Sequence, residues 1–171
     1  MKQFIGVFLA VMTLCGCEQV LDTIKGKDVY DHIKEPPMTF ASLNEAGRWI
    51  ADNVNYYVSD PYEWHSPYQT MTTLQGHCVD YSILLLWYAV QDFGANYYNS
   101  YVLGVQEYSG SSHALCVING VIYEPQTFKV RTRGYAAVIG KWNLDEALEK
   151  VYYRYVNRTV ESHKEPIPVL D

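Results

Sequence analysis

The segment "CVDYSILLLWYAV", residues 78–90, constrains the fold of this chain more than any other. Val79, Ile83, Leu84, Leu85, Leu86, Trp87, Ala89 and Val90 leave a helix over these residues without a polar face. Such a helix belongs in the middle of a core, so the rest of the chain has to be arranged around it. Gly76 breaks the chain ahead of it, and Gly94 in "DFGAN" supplies a left-handed stop behind it. The N-terminus of the helix presents unpaired N–H groups and partial positive charge, which favour an anion. Cys78 stands at that point. Two readings fit it: a thiolate stabilised as a nucleophile, or a small buried hydrophobe, as free cysteines often are.

On either side of this helix the apolar period changes. "SLNE" offers a capping box from Ser42 to Glu45. Leu43, Gly47, Ile50, Val54 and Tyr57 then recur at helical spacing, predicting a first helix that runs to about Tyr57. "SDPYEWHSPYQ" is a loop, and a short helical turn is expected over Tyr68–Leu74. Beyond Gly94 the pattern becomes strand-like. "YYNSYVLGVQEY" is rich in aromatic and β-branched residues. "HALCVINGVIYEPQT" predicts two strands joined at Asn119-Gly120, a strong hairpin signal. "FKVRTR" alternates, so a half-buried strand is expected with Lys129, Arg131 and Arg133 on its solvated face. Asn143 caps a final helix that carries Leu144, Ala147, Leu148, Val151 and Tyr155 on one side. Helices followed by antiparallel strands predict an α+β domain, with the buried helix packed on an antiparallel sheet.

The first residues read differently. "MKQFIGVFLAVMTLCGC" has one charge, Lys2, then an apolar run and small residues, the pattern of a secretory signal. Its end, Leu14-Cys15-Gly16-Cys17, resembles a bacterial lipobox. That resemblance implies cleavage before Cys17 and lipid on its thiol. Residues 1–16 are then the signal, 17–38 a lipidated tether ending at Pro36-Pro37, and 39–171 the domain. Removing 16 of the 171 residues leaves 155, and losing Lys2 takes the formal charge from −6 to −7. Such a length can bury a substantial core. That charge implies no basic face, so nucleic acid is not an expected partner. The membrane is expected through the lipid alone, in the bacterial cell envelope, at the outer membrane where there is one. Beyond Cys17 only Cys78 and Cys116 remain, too few for a disulfide scaffold. One bridge between them is open to an oxidising compartment.

A cysteine nucleophile needs a base, and the base needs an orienting group. His32 and His163 lie in polar ends and His65 in a loop. His77 adjoins Cys78, but consecutive residues entering a helix point apart. His113 is left, at the start of a strand. A two-residue turn at Asn119-Gly120 pairs Ile118 with Val121, Leu115 with Glu124 and His113 with Gln126. His113, Leu115, Glu124 and Gln126 then share a face, with Glu124 diagonal to His113 and within side-chain reach. Either Glu124 or Gln126 could orient the imidazole. Cys116 falls on the opposite face, which argues against a bridge to Cys78.

"GHCVDYS" resembles the nucleophile motif of the transglutaminase-like superfamily, in which glycine, cysteine and an aspartate two residues later open a buried helix. "WHSPYQTMTTLQGHC" resembles the Trp-x-x-Pro approach of bacterial members, "SHALCV" the strand that bears the base, and "YEP" the acidic position before proline. Together they span about Ser42 to Thr127. The resemblance implies a papain-like core, Cys78 as nucleophile, His113 as base and Glu124 as its orienter. Asp80 takes the place of the motif's aspartate, and a first-turn carboxylate favoured by the helix dipole accounts for it. His77 stands where a small or acidic residue is usual, and Glu124 where aspartate is commoner. The implied reaction is acyl transfer from an amide or peptide bond through a thioester, without a cofactor. Hydrolysis is the expected outcome, with transamidation as the variant in which a second amine replaces water. The Cys78 N–H is one expected oxyanion donor, and Gln69, Gln75 or Tyr68 could supply another. A peptide or protein substrate is implied, with cell-wall peptide among the classes open to an envelope protein.

Two other readings compete. His77, Cys78, His113 and Cys116 are the right residue types for zinc, but neighbours 77 and 78 rarely converge on one ion, and 113 and 116 face opposite sides of a strand. A non-catalytic lipoprotein could instead use the same fold to bind peptide or glycan, with Tyr97, Tyr98, Tyr101 and Tyr108 lining a groove. For the anchor, Cys17→Ser is expected to move the protein from the membrane fraction to the soluble envelope fraction. An unmodified Cys17 in the mass spectrum of the native protein would contradict that expectation.

Overall fold

The computed structural model describes residues 35–57 and 64–152. The chain divides into units of residues 1–34 and 35–171, and every described residue lies in the second. The signal, Cys17 and Tyr155 lie outside the described residues. Helix α1 spans Leu43–Asn53, with the Ser42 hydroxyl accepting the Glu45 N–H. A two-residue strand β1 (Asn55–Tyr56) follows, then α2 (Pro67–Thr73), β2 (Gln75–Gly76) and α3 (Cys78–Trp87). A π-helical turn, Tyr88–Asp92, extends α3, and Gly94 closes it at φ +64°. After a 3₁₀ turn at Tyr97–Asn99 come β3 (Tyr101–Gln106), β4 (Ser112–Ile118), β5 (Val121–Glu124), β6 (Lys129–Val130) and β7 (Ala137–Trp142). Helix α4 covers residues 144–152.

The fold is α+β. Strands β3–β7 form one antiparallel sheet in the order β6-β5-β4-β3-β7, and β1 pairs with β2 in parallel. Helix α3 packs chiefly on β4, the middle strand, and touches α1, α2 and β3. Ile83, Leu84, Leu85 and Leu86 are fully buried; each such side chain contributes about 1.5–3 kcal/mol relative to exposure. Ala46 and Ile50 of α1 and Leu144, Ala147, Leu148 and Val151 of α4 are buried as well. A second cluster, Leu103, Val105, Leu115 and Val117, uses alternate residues of β3 and β4. No helix among the described residues is long and apolar enough to cross a membrane.

Two sequence expectations need correction, and one element is unexpected. The first helix ends at Asn53, not near Tyr57. Val54 turns to extended backbone, and the Asn55 and Tyr57 N–H groups donate to Leu74 and Gly76 carbonyls at 2.8 and 2.9 Å. Val54 and the two tyrosines that follow Asn55 suit extended pairing better than another helical turn. The alternation of "FKVRTR" also fails. Phe128 sits in a turn at φ +49°, which resets the parity, so Val130 is exposed and Arg131 turns inward. Finally, β7 forms from residues to which the sequence pattern assigns no element.

Phe128 stacks on Tyr123 at 5.3 Å between ring centres and lies directly against Gly47 of α1. A side chain at 47 would drive into that ring. Gly47→Ala is therefore expected to destabilise by about 1–3 kcal/mol, although alanine is the better helix former. Urea unfolding measures this; a neutral or stabilising result would mean that the aromatic pair does not pack on α1.

Candidate active site

The hairpin sets the site. β4 and β5 pair Ile118 with Val121, Val117 with Ile122 and Cys116 with Tyr123, the register that the Asn119-Gly120 turn predicts. Glu124 ends β5, and residues 125–128 turn away, so the expected pairing of His113 with Gln126 does not form. The diagonal contact does form: His113 Nε2 lies 2.9 Å from Glu124 Oε2. The Cys78 thiol lies close enough to the same imidazole to raise its pKa. With Nε2 engaged by Glu124, Nδ1 is the ring nitrogen left available to the sulfur. The structure thus strings Cys78, His113 and Glu124 together from the N-terminus of α3 across β4 to the end of β5.

The electrostatics follow that geometry. The His113 pKa is raised, first by Cys78 and then, against the opposing effect of burial, by Glu124. Both partners favour the imidazolium. Glu124 does not end the chain of charges. Its second oxygen takes a hydrogen bond from Arg131 Nη1, and Arg131 Nη2 donates to Glu107 Oε2 at 2.9 Å. The Arg131 side chain is only 1% exposed, so the residue expected on a solvated face is the buried cation between two carboxylates. The hydrogen bond from Arg131 lowers the Glu107 pKa from its ordinary carboxylate value. Arg133 keeps the exposed position expected of it, with Nη2 3.7 Å from Glu124.

Asp80 does more than complement a helix dipole. It is buried, and its carboxylate accepts the His65 N–H at 2.7 Å and the His77 N–H at 2.9 Å. The rings of both histidines approach it, with Nδ1 atoms at 3.8 and 3.5 Å. Burial raises its pKa, opposed by the two histidines and the two N–H bonds. Asp80 therefore pins the loop before α2 and the turn into α3 to the first turn carrying Cys78. His77, set aside as a base, serves this cap. Gly76 is required there, because a Cβ would sit 2.8 Å from Asp80 Cβ.

A cleft of about 520 Å³ opens beside the hairpin, lined by His113, Glu124, Gln126, Tyr56, Glu107 and Arg133 among others. Cys78 is not among its lining residues but is half-buried rather than sealed. Tyr56 is a residue that sequence reasoning misses. It reaches this cleft through the β1–β2 pairing, and its pKa is raised by burial, then by the nearby Cys78 and Asp80. No local pattern could have found it, because the partner strand lies beyond α2. Of the other expected oxyanion donors, Gln69 closes the α2 cap by accepting the Ser66 N–H at 2.8 Å. Gln75 is exposed in β2, and Tyr68 is half-buried in the first turn of α2. Cys116 is fully buried, which pushes its thiol pKa far up, and both it and Cys78 are free thiols. Among the described residues no three His, Cys, Asp or Glu side chains converge as metal ligands. Of the tyrosines considered for a groove, Tyr98 and Tyr108 are exposed. Tyr97 donates to Asp145 at 2.7 Å, and Tyr101 lies under the Lys141 ammonium at 3.8 Å.

No protein-family model matches the chain, and no curated protein matches it.

In an NMR titration, His113 is expected to have a midpoint above the ~6.5 of a free imidazole. Glu124→Gln is expected to lower it by removing a negative partner, and Gln126→Ala to leave it in place. The sign carries into folding. With its pKa raised in the folded state, His113 contributes stability that is complete below the unfolded midpoint and is lost as pH rises through the folded one. A midpoint insensitive to Glu124→Gln would contradict the assignment of Glu124 as the partner.

Proposed function

We propose that this protein is a cysteine-dependent hydrolase of an amide or peptide bond, built on a transglutaminase-like, papain-like core and carried on the membrane by lipid at Cys17. The observation that carries the reading is the placement of His113 between the Cys78 thiol and the Glu124 carboxylate, beside an open polar cleft. The three chemical roles match the residue types, order and spacing of the "GHCVDYS", "SHALCV" and "YEP" motifs.

In this reading His113 Nδ1 takes the Cys78 proton, and the sulfur attacks the carbonyl carbon of the bound amide. The tetrahedral oxyanion forms next to the first turn of α3, where the Cys78 N–H and the positive helix end oppose its charge. Collapse breaks the carbon–nitrogen bond as the imidazolium gives its proton to the leaving amine, and an acyl-thioester remains on Cys78. Water, losing a proton to His113, attacks that thioester. The acid leaves, and the proton returns to the sulfur. Glu124 holds the ring so that Nδ1 faces Cys78 and offsets the imidazolium charge at each proton transfer. The polar cleft lining, with side chains of both signs, suits a peptide better than a greasy acyl chain. Tyr56, near Cys78 and on the cleft wall, is placed to touch that peptide.

Iodoacetamide is expected to alkylate Cys78 at neutral pH much faster than Cys116, and His113→Ala to slow Cys78 by on the order of ten-fold or more. Cys78→Ala is expected to abolish turnover while leaving thermal unfolding nearly unchanged, because the residue is small and begins a helix. Peptide mapping of the alkylated protein reads the rates. Slow labelling of Cys78, indifferent to His113→Ala, would instead favour a binding module that keeps the fold without the chemistry.

A further inference from the structure

The Cys78–His113–Glu124 arrangement has an additional partner that none of the sequence motifs contains. We propose that Arg131 is a positioning residue that fixes the Glu124 carboxylate in the one orientation that holds His113 toward Cys78. Its role in catalysis rests on the hydrolase reading of the same site.

Glu124 is the last residue of β5, and its side chain is 20% exposed. A carboxylate in that place has free rotation about its side-chain bonds and water to compete for its oxygens. In this protein both oxygens are taken. Oε2 meets His113 Nε2 at 2.9 Å, and Oε1 meets Arg131 Nη1. The guanidinium is itself immobilised on its remaining sides. Nη2 donates to Glu107 Oε2 and to the Gly134 carbonyl, both at 2.9 Å, and Nε donates to the Arg133 carbonyl at 3.0 Å. The Arg131 N–H is tied to the Ile122 carbonyl of β5 at 2.8 Å. A planar cation with its donors fixed in a fork transmits that rigidity to the carboxylate it bonds.

Charge neutralisation alone would not need this geometry. A lysine could balance Glu107 and Glu124, but as a flexible point charge it could not hold a carboxylate plane. The exposed Arg133 is already close enough to Glu124 to offset its charge. What the buried residue adds is direction. Glu107, at the far end of the fork, serves as its second anchor.

The test uses the full-length, ¹⁵N-labelled protein with Arg131→Lys, Glu124→Gln and the double variant. Two readouts are taken: the imidazole nitrogen shifts and Nε2–H signal of His113, and the iodoacetamide rate at Cys78. Arg131→Lys is expected to weaken the His113–Glu124 bond signature although it keeps the charge, and to slow Cys78 by on the order of ten-fold. The double variant is expected to be no slower than Glu124→Gln alone, because Arg131 acts through Glu124. A wild-type signature and rate in Arg131→Lys would overturn the proposal, as would a double variant slowed by the product of the single effects. If Arg131→Lys does not unfold cooperatively, Glu107→Ala, which frees the far side of the guanidinium, is read in the same two ways. There an unchanged bond signature overturns the proposal. The two readouts separate the hypotheses. An unreactive wild-type Cys78 counts against the hydrolase, while the His113 signature decides the role of Arg131 in either case.

Discussion

Everything in this domain depends on burying a helix with no polar face. Helix α3 can satisfy its side chains only by being surrounded, and it lies chiefly on the central strand of the five-stranded sheet, with α1 and α2 against it. A helix fixed on all sides has fixed ends. Its N-terminus lies near the start of β4, so a residue at the first helical position comes close to one at the start of the strand. Cys78 and His113 are those residues. Asp80 reinforces the arrangement, with one carboxylate capping α3 and holding the His65 loop. The cost of burying that carboxylate is offset by two N–H bonds and two imidazole rings.

The hairpin then adds charge in a graded way. His113 stands between sulfur and carboxylate, Glu124 between imidazole and guanidinium, and Arg131 between two carboxylates. No member of this series is left as an isolated buried charge, the condition under which ionic groups survive inside a protein. The series runs from a half-buried thiol to a guanidinium sealed from water. The accessible end of the series is thus the thiol, and the sealed end the guanidinium.

Much of this is legible in the chain because local rules fix it. The apolar run after Cys78 has only one kind of home, and the Asn119-Gly120 turn sets a register that brings Glu124 diagonal to His113. Neither needs knowledge of distant contacts. What escapes the sequence depends on tertiary choices. Phe128 takes a left-handed backbone so that its ring can lie on Tyr123 and against Gly47, and that single turn reverses which side Arg131 occupies. Tyr56 reaches the cleft only because the chain leaves α1 early to pair with β2 across an intervening helix. His65 meets Asp80 from a loop fifteen residues away. In each case strand alternation or helical spacing is the correct local expectation, and packing at a distance overrides it.

The proposed hydrolase requires that Cys78 carry an acyl group during turnover. The direct measurement is acid quenching of the full-length protein mixed with a pool of peptides from protein and cell-wall digests, followed by mass spectrometry of the Cys78 peptide. Turnover through a thioester yields a hydroxylamine-labile acyl adduct on Cys78 that is absent from His113→Ala. A Cys78 that stays unmodified in every pool, in a protein whose His113–Glu124 bond is intact, would contradict it.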